Sequence, residues 1–508
     1  MIDEIKKELL NSDYNVCYSE NGAKMYSTTG RNILDLSFKA PQLRATKASL
    51  DTHTEMLLAK ADAESRELFV KFLFYLRDVR GGMGERNAFR NLFLWFCDNA
   101  EDDAVKLLKF IPEYGRWDDL VYILYNTKSD KVKRYIVTIV SSQFLKDLES
   151  ETPTLMGKWM PSPNAGKKSK SFAKSLIREM NKAGVTVNEA SYRKSLSELR
   201  KKIQIVETNI STKNYAEIDY ERVPSVANTR YAKLFLKYDE KRRNEYLDSL
   251  VKGEKKINAS AVFPHDVWKM LGNETATAEA MWKALPDFVK GDCKTLVVRD
   301  GSGSMTSRIP NSTTTALDVA SALCVYFSER MTGEFHNKFI TFSSTPQLVE
   351  FGENMTTMQK KSFLRHYNEC SNTDIQKTFQ LLLDTAVSNN MKQEDMPGQL
   401  LIVSDMEFDA ATTEWDYQTR SYTRPDVNLF EHIAKLYADK GYKLPKLVFW
   451  NVNSRTGVVP VKENELGVAL VSGYSPAVCK MVLSEETDPW KNLLNVLLSE
   501  RYAQVTLA

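Results

Sequence analysis

The sequence is poor in the features that mark membrane, secreted and metal-cluster proteins. Its longest apolar stretches, such as residues 73–76 and 92–97, fall far short of the ~18 needed to cross a bilayer, so a spanning helix is excluded. Cysteine is sparse: Cys17, Cys97, Cys293, Cys324, Cys370 and Cys479 lie far apart with no CxxC pair. That argues against a disulfide framework and a zinc module, and fits a reducing compartment. The five histidines are equally scattered, which makes imidazole-rich metal chemistry a poor fit. The opening residues 1–10 are charged and amphipathic and lack the apolar core of a secretory signal. A soluble, cytoplasmic protein is the expectation.

What is present is length and ordinary globular composition. The chain has 508 residues, 43% hydrophobic and 27% charged, which excludes wholesale disorder and is too long for one compact core. The net charge of +3 conceals an uneven distribution. Residues 151–260 hold 23 basic and 13 acidic side chains, whereas residues 261–508 hold 24 and 30. A basic middle segment in a nearly neutral chain suits a polyanion; solvated helix faces paired with acids elsewhere in the fold are the competing explanation.

Up to about residue 275 the pattern is helical. Residues 64–77 and 87–97 place apolar side chains at three- and four-residue steps, and residues 105–111 and 117–125 repeat this in shorter form. The connectors carry breakers, notably Gly81-Gly82-Met83-Gly84 and Pro112-Glu113-Tyr114-Gly115. Helical hairpins stacked as an α-solenoid (HEAT-like) are expected, without a clean fixed period. Residues 162–170 combine Pro, Gly, Ser and lysines and read as an exposed loop. From about Asp292 short β-branched runs at 294–299, 338–342, 399–404, 446–451 and 467–472 alternate with helix candidates, and residues 347–351 suit an antiparallel edge strand. The expected architecture is therefore multidomain: an all-α region over 1–285 and a doubly wound α/β domain over 286–508, with ligands at the carboxyl ends of its strands.

The sharpest signal follows the first of these strands: Asp300-Gly301-Ser302-Gly303-Ser304-Met305. One carboxylate and two hydroxyls on a tight glycine-bearing loop make an oxygen-only half-shell, suited to Mg²⁺ and unsuited to zinc or copper. Thr373 precedes a helix, and Asp405 follows the run Leu401-Ile402-Val403-Ser404, so three loops are expected to converge on one rim. The same residue types are the preferred helix N-caps, which is the competing reading. In this arrangement the C-terminal region resembles a von Willebrand factor A domain with a metal-ion-dependent adhesion site. The resemblance implies Asp300, Ser302, Ser304, Thr373 and Asp405 as ligands of Mg²⁺, or of Mn²⁺ or Ca²⁺, with an open position that accepts a partner's carboxylate in many members. Here Asp405 continues as Met406-Glu407-Phe408-Asp409 where aspartate-glycine is common. The extra carboxylates bear on the partner role more than on the metal.

Further motifs are Arg80-Gly81-Gly82-Met83-Gly84-Glu85-Arg86, Tyr114-Gly115-Arg116-Trp117-Asp118-Asp119-Leu120, Tyr192-Arg193-Lys194-Ser195-Leu196-Ser197, Val223-Pro224-Ser225 and Lys256-Ile257-Asn258-Ala259. On these the chain resembles, over nearly its whole length, the uncharacterised family called domain of unknown function 2828. That family is similar in layout to the Ro (TROVE-module) ribonucleoprotein, and the likeness implies single-stranded or small structured RNA as partner. Fold analogy alone does not fix function.

Gly81–Gly84 is followed by no Gly-Lys-Ser/Thr, and position 161 is proline where a P-loop frame ending at Gly166-Lys167 requires glycine, so a nucleotide cradle is not expected. Arg80 and Arg86 are expected to pack against Asp78, Glu85 or neighbouring helix ends. No histidine neighbours Ser302, Ser304 or a cysteine, and Glu407 is the only general base to be entertained, so no catalytic residue is assigned. The RNA candidates are Lys167, Lys168, Lys170, Arg193, Lys194, Arg200, Lys201, Lys202, Arg242 and Arg243, flanked by Lys174, Arg178, Lys241 and the aromatics Trp159, Tyr192 and Tyr231. The expected function is a non-enzymatic, Ro-like RNA-binding protein with a divalent-metal site. The alternative is a metal-dependent scaffold that docks a partner protein, and metal-assisted hydrolysis is a third.

Overall fold

The structure, a computed structural model, describes residues 15–18, 24–44, 50–182, 184–289, 294–310, 312–368, 374–406, 414–416, 421–423, 429–453, 468–475, 478, 481, 486 and 488–507. Through Lys283 the described residues are helices and their connections apart from one short hairpin, β1 (Val16–Tyr18) with β2 (Lys24–Tyr26). The local causes are ordinary. Helix Arg66–Arg77 starts where the Ser65 side chain accepts from the Leu68 N–H at 3.3 Å, and its apolar positions are buried. Phe74 of this helix meets Phe89 and Phe93 of helix Arg86–Asn99, and Phe110 and Tyr114 beyond it, in tilted or edge-on contacts 5.3–6.4 Å between centroids. Each fully buried phenyl contributes roughly 1.5–3 kcal/mol.

From Thr295 the chain builds a mixed six-stranded sheet in the order β10-β9-β6-β3-β4-β5, with β3 Thr295–Asp300, β4 Lys338–Phe342, β5 Leu348–Glu350, β6 Gln399–Ser404, β9 Lys446–Asn451 and β10 Val468–Ser472. All neighbours are parallel except β5, the antiparallel edge expected from the sequence. A second hairpin pairs β7 (Glu414–Asp416) with β8 (Ser421–Thr423). Period-two alternation sends Val297, Phe339, Leu401, Val448 and Trp450 to one face, toward helix Ala316–Ser328. Leu296, Val298, Ile340, Leu400, Ile402 and Phe449 go to the other, against Phe379, Leu382, Ile433 and Tyr437. Both faces are covered, which is why these strands read as continuous apolar runs.

The two regions are not beads on a string. Helix Asn32–Leu43 lies against β10: the Asn451 amide donates to the Phe38 carbonyl at 2.9 Å, and Arg44 donates to the Val452 carbonyl at 3.0 Å and to Glu85 at 2.8 Å. Helices Pro264–Met270 and Thr275–Lys283 pack on helix Ala316–Ser328 and helix Thr357–Leu364 from the opposite end of the helical region, where Trp282 donates to Glu329 at 2.8 Å. The C-terminal segment then returns to the first helices: Arg501 and Tyr502 both donate to Asp78, and Lys71 donates to the Tyr502 carbonyl at 3.1 Å. One apolar core runs without a break through both regions.

Candidate functional site

Between β3 and β6 the sheet order reverses: the chain leaves β3 toward β4 and β5, and leaves β6 toward β9 and β10. The crevice at the carboxyl ends of these strands is the topological switch point of an open sheet, where ligands bind. Asp300 ends β3, and Asp405 follows β6 directly. Register pairs Arg299 with Val403, which brings Asp300 beside Ser404, one residue before Asp405.

The side chains form one hydrogen-bonded cluster. Ser302 Oγ lies 3.0 Å from Ser304 Oγ, and Ser304 Oγ donates to Asp405 Oδ1 at 3.3 Å. Asp300 Oδ1 accepts from the Ser302 N–H at 2.9 Å and Oδ2 from Ser404 Oγ at 2.5 Å. Gly301 is required by close approach, since a Cβ there would stand 2.9 Å from the Tyr367 carbonyl oxygen. Asp300 and Asp405 are both buried, while Ser302 and Ser304 are half-buried and open the cluster to solvent. Burial pushes the Asp300 carboxyl above its ordinary range, and the bonds from Ser404 and Ser302 only partly offset this. Two buried carboxylates beside two hydroxyls fit a small hard cation, which would relieve that desolvation. Among the described residues no group of three or more His, Cys, Asp and Glu comes together, so the alternatives of a thiolate, imidazole or all-carboxylate centre find no support there.

Four of the five expected ligands therefore meet. Thr373 and Glu407 lie outside the described residues. The residue after Thr373, Asp374, caps helix Ile375–Ser388 by accepting from the Lys377 N–H at 2.9 Å. Arg299 escaped the sequence reading. It is fully buried, donates to Ser321 Oγ at 3.0 Å and to the Tyr367 carbonyl at 3.2 Å, and reaches Asn368 Oδ1. It thereby ties the segment leading toward Thr373 to β3. The available signal was a guanidinium inside an otherwise apolar strand, Thr-Leu-Val-Val-Arg-Asp.

The ten RNA candidates divide sharply. Lys167 and Lys170 on helix Lys167–Lys182, and Arg193, Lys194 and Lys201 on the adjacent helix Glu189–Lys202, are exposed. No ion pair engages these five among the described residues, whereas nearby Lys174 pairs with Glu189 at 3.3 Å. Nothing is described of the Lys168 side chain. The other four are bonded within the fold, and of these Arg243 is corrected outright by its burial. Arg200 donates to the Gly157 and Met160 carbonyls at 2.9 and 2.8 Å, and Lys202 to the Leu148 and Ser150 carbonyls at 2.9 and 3.2 Å. Arg242 serves Tyr215 and Ile218 carbonyls and Asp239, all within 2.8–2.9 Å. Arg243 is 0% exposed, boxed by Tyr220, Phe235 and Tyr246 at 4.9–5.4 Å, and cannot touch a phosphate. Tyr192 is also core, stacked on Phe144 at 5.6 Å. The lysine-rich stretch expected to be loop enters helix at Lys167. The Gly81–Gly84 turn is filled by protein: a Cβ on Gly82 would meet the Tyr75 carbonyl at 2.1 Å, and the turn cradles no phosphate. Arg86 bonds Asp118, and the Arg80 N–H bonds Asp78 at 3.0 Å.

Comparison with known proteins places these features. Residues 294–497 match the family model of the domain of unknown function 7788, and residues 143–297 that of the domain of unknown function 2828. The latter contains the motifs at 192–197, 223–225 and 256–259; those at 80–86 and 114–120 precede it, so the model spans less than the near-whole chain expected. The uncharacterised protein L728 of Acanthamoeba polyphaga mimivirus is 27% identical over 527 aligned positions, covering 95% of this chain and 87% of its own. The crystal structure of the Deinococcus radiodurans Ro (RSR) protein aligns over 91% of this chain and 99% of that one, at 12% identity and a TM-score of 0.48. The two family models meet at residues 294–297, where the helical region gives way to the sheet domain, and together they take in residues 143–497 of this chain.

Proposed function

We propose that this protein is a non-enzymatic RNA-binding protein whose C-terminal domain is von Willebrand A-like and holds a divalent cation. The observation that carries the RNA reading is the set of five exposed cations, Lys167, Lys170, Arg193, Lys194 and Lys201, on one helix pair and without acidic partners among the described residues. Exposed cations of this kind neutralise backbone phosphates and read no bases, which suits single strands or small structured RNAs bound by shape and charge. Asp300, Ser302, Ser304 and Asp405 would hold Mg²⁺ or a similar ion, with Thr373 as the further ligand that the family resemblance supplies. The bound ion offers a Lewis-acidic position for an anionic group. Around it, Arg299 fixes the neighbouring loop, the Ser304 hydroxyl donates to Asp405, and the Ser302 hydroxyl bonds that of Ser304.

The test is filter binding of a short single-stranded RNA and a structured RNA across a salt series. Affinity should fall linearly on logarithmic axes, and Lys170→Glu with Arg193→Glu should weaken both ligands and flatten the slope. Salt-independent binding, or none at low salt, refutes the reading. A second reading is favoured by the solvent-open face of Ser302 and Ser304: a partner protein's carboxylate completes the cation's sphere. Asp300→Ala should then abolish partner capture and spare RNA.

A further inference from the structure

Beside the Tyr114-Gly115-Arg116-Trp117 turn lies a cleft of about 690 Å³, within the range that encloses a single small ligand. Its walls carry Arg80, Lys109, Arg116 and Lys146, two indoles (Trp117 and Trp159), and one carboxylate, Glu113. It is separate from both the switch-point cluster and the exposed lysine face.

The positive charge here has a structural origin. Asp118 and Asp119 are shared among Arg77, Arg86 and Arg90: Arg77 Nη2 lies 2.8 Å from Asp119, Arg90 Nε 2.6 Å from Asp119, Arg90 Nη2 3.0 Å from Asp118, and Arg86 also bonds Asp118. Two acids are thus consumed by three arginines. Arg116 gives only its backbone N–H to Asp119, at 3.0 Å, and its guanidinium lies over Trp159 at 4.9 Å from the ring centroid, with no carboxylate in ion-pair range among the described residues. Gly115 lets the turn pass this close, since a Cβ there would stand 2.6 Å from Asp119 Oδ2 and 3.0 Å from Arg77 Nε. A guanidinium stacked on indole, beside further cations, presents a flat π-surface next to a concentration of positive charge. The ligand that satisfies both at once is an aromatic ring covalently tied to a phosphate.

We propose that this cleft binds one nucleotide, its base extending the Arg116–Trp159 stack and its phosphate held by Arg80, Arg116 and Lys146. The site deepens the RNA reading and rests on it for one of two sources of the ligand, the terminal nucleotide of a single strand. The other source is a free mononucleotide.

The test is isothermal titration of the full chain with adenosine monophosphate, adenosine, inorganic phosphate and a short single-stranded oligoribonucleotide. Adenosine monophosphate should bind more tightly than adenosine or phosphate alone. Trp159→Ala should weaken it about fivefold or more, with Trp159→Phe restoring most of the loss. Lys146→Glu, at an exposed position that folding does not need, should weaken it comparably and decides the matter if Arg116→Ala fails to fold. Oligonucleotide affinity that senses these variants while the monophosphate does not bind assigns the strand end as the ligand. The reverse assigns the free nucleotide. If neither ligand senses Trp159 or Lys146, the proposal is overturned. RNA binding lost in Lys170→Glu with Arg193→Glu would in that case leave the RNA reading standing, whereas monophosphate binding without any RNA affinity would end the RNA reading alone.

Discussion

Removing the Asp78 carboxylate should open the contact that returns the C-terminus to the first helices. Asp78 is fully buried and accepts from Arg501 Nη2 at 2.7 Å, from Arg501 Nε, from Tyr502 OH at 3.0 Å and from the Arg80 N–H at 3.0 Å. Truncating one partner of a buried, hydrogen-bonded ion pair costs about 3–5 kcal/mol, because the other charge is left uncompensated. Arg501 keeps 37% of its side chain exposed, so water recovers part of this and the loss for Asp78→Ala should lie near the lower end, about 3 kcal/mol. A double-mutant cycle with Arg501→Ala, read by urea denaturation, should give a coupling of about 1–3 kcal/mol. Proteolysis should clip residues 489–507 faster in either single variant. Burial alone would raise the Asp78 carboxyl, but the bonds from Arg501, Arg80 and Tyr502 outweigh it and hold the group below its ordinary value. This stability is therefore present above the unfolded carboxyl's pKa, about 3.9, and is lost as pH falls below it. A coupling under about 0.5 kcal/mol, with unchanged proteolysis, would show that the tail is held by packing and that the clamp argument is wrong.

Four other outcomes follow from the same geometry. Arg243→Ala should destabilise by about 3 kcal/mol through the cavity it leaves among Tyr220, Phe235 and Tyr246, while Arg243→Met should lose much less and retain RNA affinity; weakened RNA binding by a stably folded Met variant would contradict its burial. Saturating Mg²⁺ at about a hundredfold over its dissociation constant should stabilise the protein by about 2.7 kcal/mol, and Asp405→Asn should remove that gain; equal thermal shifts in both proteins would place the ion elsewhere. Arg299→Leu should leave the sheet folded yet reduce the Mg²⁺-induced shift, because the loop at Tyr367 loses its tether; a full shift would make Arg299 only a core residue. Burial pushes the His265 imidazole below its ordinary value, with Arg44 and Lys269 acting in the same direction and Asp266 and Asp318 opposing. The unfolded chain then takes up the proton first, so stability should fall as pH drops below about 6.5, and His265→Gln should flatten that part of the melting-versus-pH curve.

What the sequence determined is whatever depends on local periodicity and on adjacent residues. Short continuous β-branched runs between helix candidates marked the sheet strands, and three- and four-residue spacing marked helices such as Arg66–Arg77. The run from Asp300 to Ser304 declared an oxygen-rich loop by itself, because a turn, two hydroxyls and a carboxylate all fall within five consecutive positions. Charge excess located the basic segment but could not say which cations the fold itself engages. That depends on carbonyls and rings brought in from far along the chain: Tyr215 and Ile218 for Arg242, the Leu148 and Ser150 carbonyls for Lys202, the aromatic box for Arg243. Only the tertiary structure made Arg299 a buried tether, laid helix Asn32–Leu43 on β10 and closed Arg501 on Asp78. The same holds for the Arg116–Trp159 cleft, whose charge surplus exists because three other arginines reach the two acids first. Side-chain competition for a limited number of partners is a property of the packed chain, and no window along the sequence contains it.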